Sequence, residues 1–296
     1  MAIATPTIDQ QVPTVGQRSV LSSFWLRFRR NKLAVAAFIF IVLQIVMAVF
    51  AFQIAPYNPL KGDYAAVWQA PNAKYLLGTD DLGRDVLSRL IYGAQVSLAV
   101  GILSQVLIVL IGLPIGAIAG LLGGWVDFTI MRIIDILSAL PTMLFYILLL
   151  VVLGSGFTNI ILAMAITGWI GIARLVRGQV LSLKESDYVR AARSMGGNSR
   201  HIIVTHLIRN SFTPVIVSMA LGIPGAMFAE AGLSFLGLGI APPAASWGQM
   251  IGLYQAYIQT FWWVTVFPAL ALAVTMLAWS FLGDGVRDAL DPSVRA

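Results

Sequence analysis

The chain has 296 residues, 58% of them hydrophobic and only 11% charged, with no cysteine and a net charge of +6; its mean hydropathy is +0.85. Soluble domains carry about 25% charged residues, so a water-soluble globule is excluded and the composition is that of a polytopic α-helical membrane protein. Disulfide and thiol chemistry are excluded too, and because the basic residues sit at the borders of apolar segments, their excess reports orientation in a membrane rather than nucleic-acid binding.

Residues 1–32 form a basic N-terminal segment with Arg18, Arg27, Arg29, Arg30 and Lys32. They lack the apolar stretch of a cleavable signal peptide and read as a cytoplasmic lead-in to an uncleaved anchor. Phe24, Trp25, Leu26 and Phe28 among those cations fit a short helix on the inner membrane face; an irregular lead-in fits them nearly as well.

A six-helix membrane domain is predicted over residues 33–283, each span being an apolar segment of about 20 residues. The first span is Leu33–Ala55, stopped by Pro56, and an outer loop covers 56–91. The second lies within the charge-free stretch Leu90–Val126. Gly112, Gly116, Gly120 and Gly124 recur on one face of it, a packing stripe for another helix. The third runs from near Ile130 to Leu153, with Arg132 and Asp135 placed to neutralise each other at i,i+3. Gly154–Asn159 makes a turn, and the fourth span is Ile160–Val176. The fifth is Ser211–Leu233, and the sixth is Phe261–Leu282, followed by a cytoplasmic tail over 284–296. Pro141, Pro224 and Pro268 either kink spans or end helical segments.

Between the fourth and fifth spans lies a polar island, Arg174–Asn210. It holds seven of the 19 Lys and Arg residues and both histidines, His201 and His206. Six spans put both termini on one side. With the island, that side collects fifteen of the 19 cations, against Lys61, Lys74, Arg84 and Arg89 on the other, so it is the cytoplasmic side. Within the loop 177–210, Ser186–Met195 reads as helix and Gly196-Gly197 as its break. Ser199 caps a second short helix, whose one face carries Ile202, Ile203, His206 and Leu207. Such a helix either rests on lipid headgroups or docks in the groove of a soluble partner.

Chemistry is sparse. No lysine follows a glycine, so the phosphate-binding G-x-x-x-x-G-K-[ST] loop is absent; H-E-x-x-H and Cys/His clusters are absent as well. No catalytic or metal-binding residue is assigned, and no cofactor is expected on this chain. Glu230 stands near the outer end of the fifth span without an obvious local partner. It either lines a pathway or holds the following loop, and the close-packing run Ala231–Gly237 favours the second. A membrane chain with few ionisable residues and no nucleotide site draws its energy from another subunit.

The island resembles the EAA loop of ABC-transporter permeases, through Arg190-Ala191-Ala192, Gly196 and His206-Leu207-Ile208-Arg209. Arg190 stands where that family carries Glu, and Arg209 where it carries Pro. Three further segments resemble the dipeptide/oligopeptide/nickel importer permeases. They are Leu77–Arg89, with Gly78, Asp80, Asp81, Gly83, Arg84 and Asp85; Leu233–Gly239 with Pro242-Pro243 and Ser246-Trp247-Gly248; and Leu282–Pro292. The order and spacing are similar to the second, six-span permease of the pair. The resemblance implies a type I ABC importer fold in the bacterial inner membrane. It also implies a homologous permease as partner, two cytoplasmic ATPases carrying ATP and Mg, and an extracytoplasmic solute-binding protein. Peptides or a related small solute are the implied cargo, and 190–209 the ATPase-coupling segment. In the outer loop the charged residues tie the loop to itself, or else face the binding protein; the first is favoured. Asp284, Arg287 and Asp288 read as a salt-bridged inner cap. The competing function is a secondary transporter or channel working without ATPases, which needs buried ion-binding carboxylates or inverted repeats.

Overall fold

The computed structural model describes residues 20–184 and 209–290. Apart from one isolated bridge between Thr79 and Asp85, regular structure among the described residues is helical. The helices are α1 (Val20–Arg30), α2 (Lys32–Val49), α3 (Ala51–Ile54), α4 (Val86–Leu122), α5 (Gly124–Ser138), α6 (Thr142–Leu153), α7 (Phe157–Lys184), α8 (Arg209–Phe235), α9 (Trp247–Tyr254) and α10 (Trp263–Leu290). Helices α2, α4, α7, α8 and α10 are each long and apolar enough to cross a membrane.

The third span is not the continuous helix predicted from Ile130 to Leu153. It is the pair α5 and α6, bent by 84°. Pro141 sits at the break; it cannot donate a backbone hydrogen bond and drives Leu140 out of the helical region. Ser138 closes the last turn of α5 by donating to the Ile134 carbonyl at 2.7 Å. Asp135 does not pair with Arg132. Its carboxylate meets Arg174 of α7 at 3.0 Å, and Arg132 lies over the Phe128 ring at 5.2 Å. One guanidinium nitrogen of Arg174 reaches both Asp135 and Ser138, which stand three residues apart on one face of α5.

The first span, predicted as Leu33–Ala55, is helix α2 only to Val49, with the short α3 after a break at Phe50, whereas the other spanning helices outrun their predicted ends. α4 has 37 residues, about 55 Å at ~1.5 Å per residue, well beyond the ~30 Å of a hydrocarbon core. α7 continues through Arg174 and Arg177 to Lys184. α10 continues to Leu290, so the predicted tail begins as helix, and no ion pair among the described residues joins Asp284, Arg287 and Asp288. Pro224 and Pro268 lie inside α8 and α10.

α4 and α7 pack parallel along the glycine face. A Cβ on Gly112 would meet the Trp169 carbonyl at 2.7 Å, one on Gly116 the Val176 side chain at 2.9 Å, and one on Gly120 the Val180 side chain at 2.9 Å. Gly124 is not part of this stripe: α4 has ended at Leu122, and nothing lies within 4 Å of a Cβ there. Ile108, Ala117, Leu121, Ile172, Val176 and Val180 fill the seam. On the other flank α2 packs on α10, where Gln44 donates to Thr275 at 2.7 Å. α1 is a helix, and it folds back on the bundle: Phe28 is buried with Ala34 and Ala289 while Trp25 stays exposed. In the α6–α7 turn, Asn159 donates to the Leu153 and Gly154 carbonyls at 2.8 and 3.0 Å. This topology gives the bundle a loop end, with 56–85 and α9, and a basic end, with α1, the end of α7 and the end of α10.

Candidate functional site

At the loop end, residues 77–89 fold into an ionic knot centred on Asp80. Asp80 Oδ1 accepts from the backbone N–H groups of Leu82 (3.0 Å) and Arg84 (2.9 Å). Asp80 Oδ2 accepts from Arg84 Nε at 2.7 Å and lies 3.4 Å from Arg89 Nε. Gly83 makes the turn possible: its φ is +69°, and it packs against the Asp63 backbone where a side chain has no room. Gly78 likewise turns at φ +79° beneath the Trp263 indole, which donates to the Thr79 carbonyl at 3.1 Å. Asp85 caps α4, accepting from the Ser88 N–H (2.8 Å) and hydroxyl (2.7 Å).

The knot ties the loop to α9 as well as to itself. Tyr254 donates to Asp81 at 2.6 Å and accepts from Arg84 Nη2 at 3.1 Å. Arg89, fully buried, reaches the Pro59 carbonyl and Gln249 Oε1, both at 3.4 Å. Burial works against the Arg84 charge, but Asp80 and Tyr254 outweigh it and raise its pKa above the ordinary guanidinium value. Burial, then Asp80 and Asp81, push the Tyr254 phenol far up, so it stays a neutral donor. Asp80, Arg84 and Asp85 are buried and committed to internal bonds. Asp81, its side chain 44% exposed, is the open carboxylate of the motif. Nothing in the knot pairs a nucleophile with a base; it positions helices.

Glu230 connects to the same assembly. It is fully buried on α8. Its Oε1 accepts from Ser234, one turn further on, at 2.9 Å and from Ser246 at 2.7 Å. Ser246 in turn caps α9, accepting from the Gln249 N–H at 2.9 Å. Oε2 has no hydrogen-bond partner and lies against Gly248. Glu230 therefore holds the loop after α8 and sets the start of α9, whose Gln249 and Tyr254 face the arginines. Sequence reasoning missed Arg89, Ser234, Ser246, Gln249 and Tyr254 as partners. Ser234 was findable, being four residues from Glu230 on a helix; Tyr254 is 173 residues from Asp81, and no local pattern marks it.

At the basic end, α7 is clamped. Arg177 forms a two-pronged pair with Asp127 of α5, Nη2 to Oδ2 at 2.6 Å and Nε to Oδ1 at 2.5 Å. Lys184 donates to the Leu121 carbonyl at 3.2 Å, a cation on the C-terminal end of α4. The residues singled out in the coupling segment lie outside the described residues: Arg190, Ala191, Ala192, Gly196, Ser199, Ile202, Ile203, His206 and Leu207. No group of three or more His, Asp or Glu able to hold a metal occurs among the described residues.

A bundle of long apolar helices, with an ionic knot at one end and a broken third span, defines a polytopic helical membrane protein. Residues 112–296 match the family described as binding-protein-dependent transport system inner membrane component. Residues 19–71 match the N-terminal TM domain of oligopeptide transport permease C. The chain belongs to the family of inner membrane components of binding-protein-dependent transport systems. It is 44% identical over 273 residues to the dipeptide transport system permease protein DppC of Bacillus subtilis (strain 168), covering 92% of this chain and 85% of that protein. It is 44% identical to the oligopeptide transport system permease protein OppC of the same organism, covering 91% and 88%. With the glutathione transport system permease protein GsiD of Pectobacterium atrosepticum the identity is 40%, with 96% of each covered. A chain of the inward-facing MetNI methionine ABC transporter shares the fold, at a TM-score of 0.57 and 20% identity over 68% of this chain and 96% of that one. The chain is a permease subunit of an ABC importer.

Proposed function

We propose that this chain forms half of a solute pathway with a homologous permease and imports peptides or a related amide-bearing solute on energy supplied by cytoplasmic ATPases. The observation that carries the reading is the build of the basic end. α7 and α8 flank the basic segment 185–208, and α7 is locked to α4 by the glycine seam and to α5 by Arg177–Asp127 and Arg174–Asp135. A push on that segment therefore moves a rigid set of helices, as a switch between discrete states requires. Two ATPases bind and hydrolyse ATP with Mg, this chain contributing no catalytic group. The segment 190–209 docks on one of them, and an extracytoplasmic binding protein delivers solute at the loop end. Both termini are cytoplasmic, in keeping with the excess of cations at the basic end. The cargo class is supported by the names of the relatives: dipeptides, oligopeptides and glutathione share the peptide bond.

The test is uptake of labelled di- and tripeptides into proteoliposomes holding this chain with its partner subunits. Uptake with ATP and none with an ion gradient alone is the expected result; uptake on the gradient alone refutes the reading. Gly196→Trp or Ile203→Asp should abolish ATP-driven uptake while the chain remains in the membrane.

A further inference from the structure

Three cavities follow one another through the bundle. The first, about 290 Å³, lies at the α5–α6 bend. The second, about 220 Å³, lies among α4, α6, α7 and α8. The third, about 760 Å³, opens between α7, α8 and α10 beside Arg287 at the basic end. Gly168 and Gly171 wall both the first and the second, and Ser218 and Gly222 wall both the second and the third.

The central cavity has two features that packing within this chain does not explain. Gly171 on α7 and Gly225 on α8 line it, and a Cβ added to either meets nothing within 4 Å. Glycine weakens a helix interior relative to alanine. At Gly112, Gly116 and Gly120 close helix contact offsets that cost; at Gly171 and Gly225 no atom of the described chain does. The second feature is Gln105. Its side chain lines the cavity over Gly222, is only 8% exposed, and makes no hydrogen bond with any described residue. Neither of its amide atoms is among the fully buried unpartnered ones, so the amide is open to the cavity. A passing ligand with an N–H and a C=O satisfies both ends of it, since a primary amide donates and accepts. No charged side chain lines this cavity, so neither terminus of a peptide is trapped there by an opposite charge.

We infer that the central cavity is a solute-contact site for peptide bonds, read by the Gln105 amide, with Gly171 and Gly225 leaving room for variable side chains. The solute passes between this site and the basic end through the wider cavity beside Arg287. The inference rests on the reading of the chain as a permease for peptide-like solutes.

The test uses the assembled transporter in proteoliposomes, with radiolabelled dialanine as probe. Gly171→Trp and Gly225→Trp, which fill the cavity, should each lower ATP-driven uptake at least ten-fold in complexes that assemble in normal yield; Gly171→Ala should not. Gln105→Leu, close in volume but without the amide, should raise the KM for dialanine several-fold. Because the chain has no cysteine, Gly171→Cys and Gly225→Cys each give a single reporter in this subunit. Dialanine should slow their modification by a thiol reagent. Wild-type uptake by both tryptophan variants, or thiol modification unaffected by dialanine, overturns the inference. Tryptophan variants that no longer co-purify with the partner permease overturn it in favour of a subunit-packing surface. Absence of ATP-driven uptake by the wild-type transporter overturns the functional reading itself.

Discussion

Asp80 and Asp81 are neighbours in sequence and opposites in environment. Asp80 is buried against two guanidinium groups, whereas Asp81 is half in solvent. Removing a buried partner leaves uncompensated charge, at a cost of roughly 3–5 kcal/mol, and here Asp80→Ala leaves Arg89 without an acidic partner and Arg84 with only Asp81, at 3.3 Å. Asp81→Ala removes one screened contact and the acceptor of the Tyr254 hydroxyl, about 1 kcal/mol. Thermal unfolding of the detergent-solubilised protein should separate the two variants clearly; equal midpoints contradict the knot. Glu230 obeys the same logic with neutral donors. Glu230→Ala deprives two buried hydroxyls of their acceptor and loosens the cap of α9, a loss of roughly 2 kcal/mol. Glu230→Gln keeps a carbonyl oxygen for Ser234 and Ser246 and should lose less than half of that in the same melting experiment.

Glycine in the helices has two meanings that the α4–α7 seam tells apart. Gly116→Ala places a methyl 2.9 Å from Val176 and forces the helices apart, at about 1–3 kcal/mol. Gly178, within α7, has no atom within 4 Å of a Cβ, so Gly178→Ala should stabilise by about 0.4–1 kcal/mol through the unfolded chain. Opposite shifts in melting temperature are the expected result. The stripe at Gly112, Gly116 and Gly120 was legible because spacing of four fixes a helix face whatever lies opposite. Helix ends were not. Charge reads as a stop, yet Arg174 and Arg177 continue α7 because Asp135 and Asp127 wait on α5. The α5–α6 break was only half legible: Pro141 marks its place, but an 84° bend depends on what α5 packs against. The Leu77–Arg89 motif could be located in the sequence, while its ties to Gln249 and Tyr254 come from chain reversal through the whole bundle.

At the scale of the molecule the two ends differ in how they carry charge. The loop end buries Arg84 and Arg89 beside Asp80 and pairs Lys74 with Asp63 at 3.3 Å. The Ala65 N–H and Lys74 hold the Asp63 carboxyl below its usual range, so that exposed pair is intact at neutral pH. The basic end gathers the cations at the ends of α1, α7 and α10. Positive charge resists transfer across the membrane during insertion, so the basic end should stay in the cytoplasm and the knot should face outward. Tyr64, 82% exposed in the loop 56–85, and Asp288, exposed near the end of α10, probe this directly. Each Cys variant carries one thiol in a chain that otherwise has none. In right-side-out membrane vesicles a membrane-impermeant maleimide should label Tyr64→Cys at once and Asp288→Cys only after permeabilisation. The reverse pattern would place the basic end outside, and with it the segment proposed to meet the ATPases.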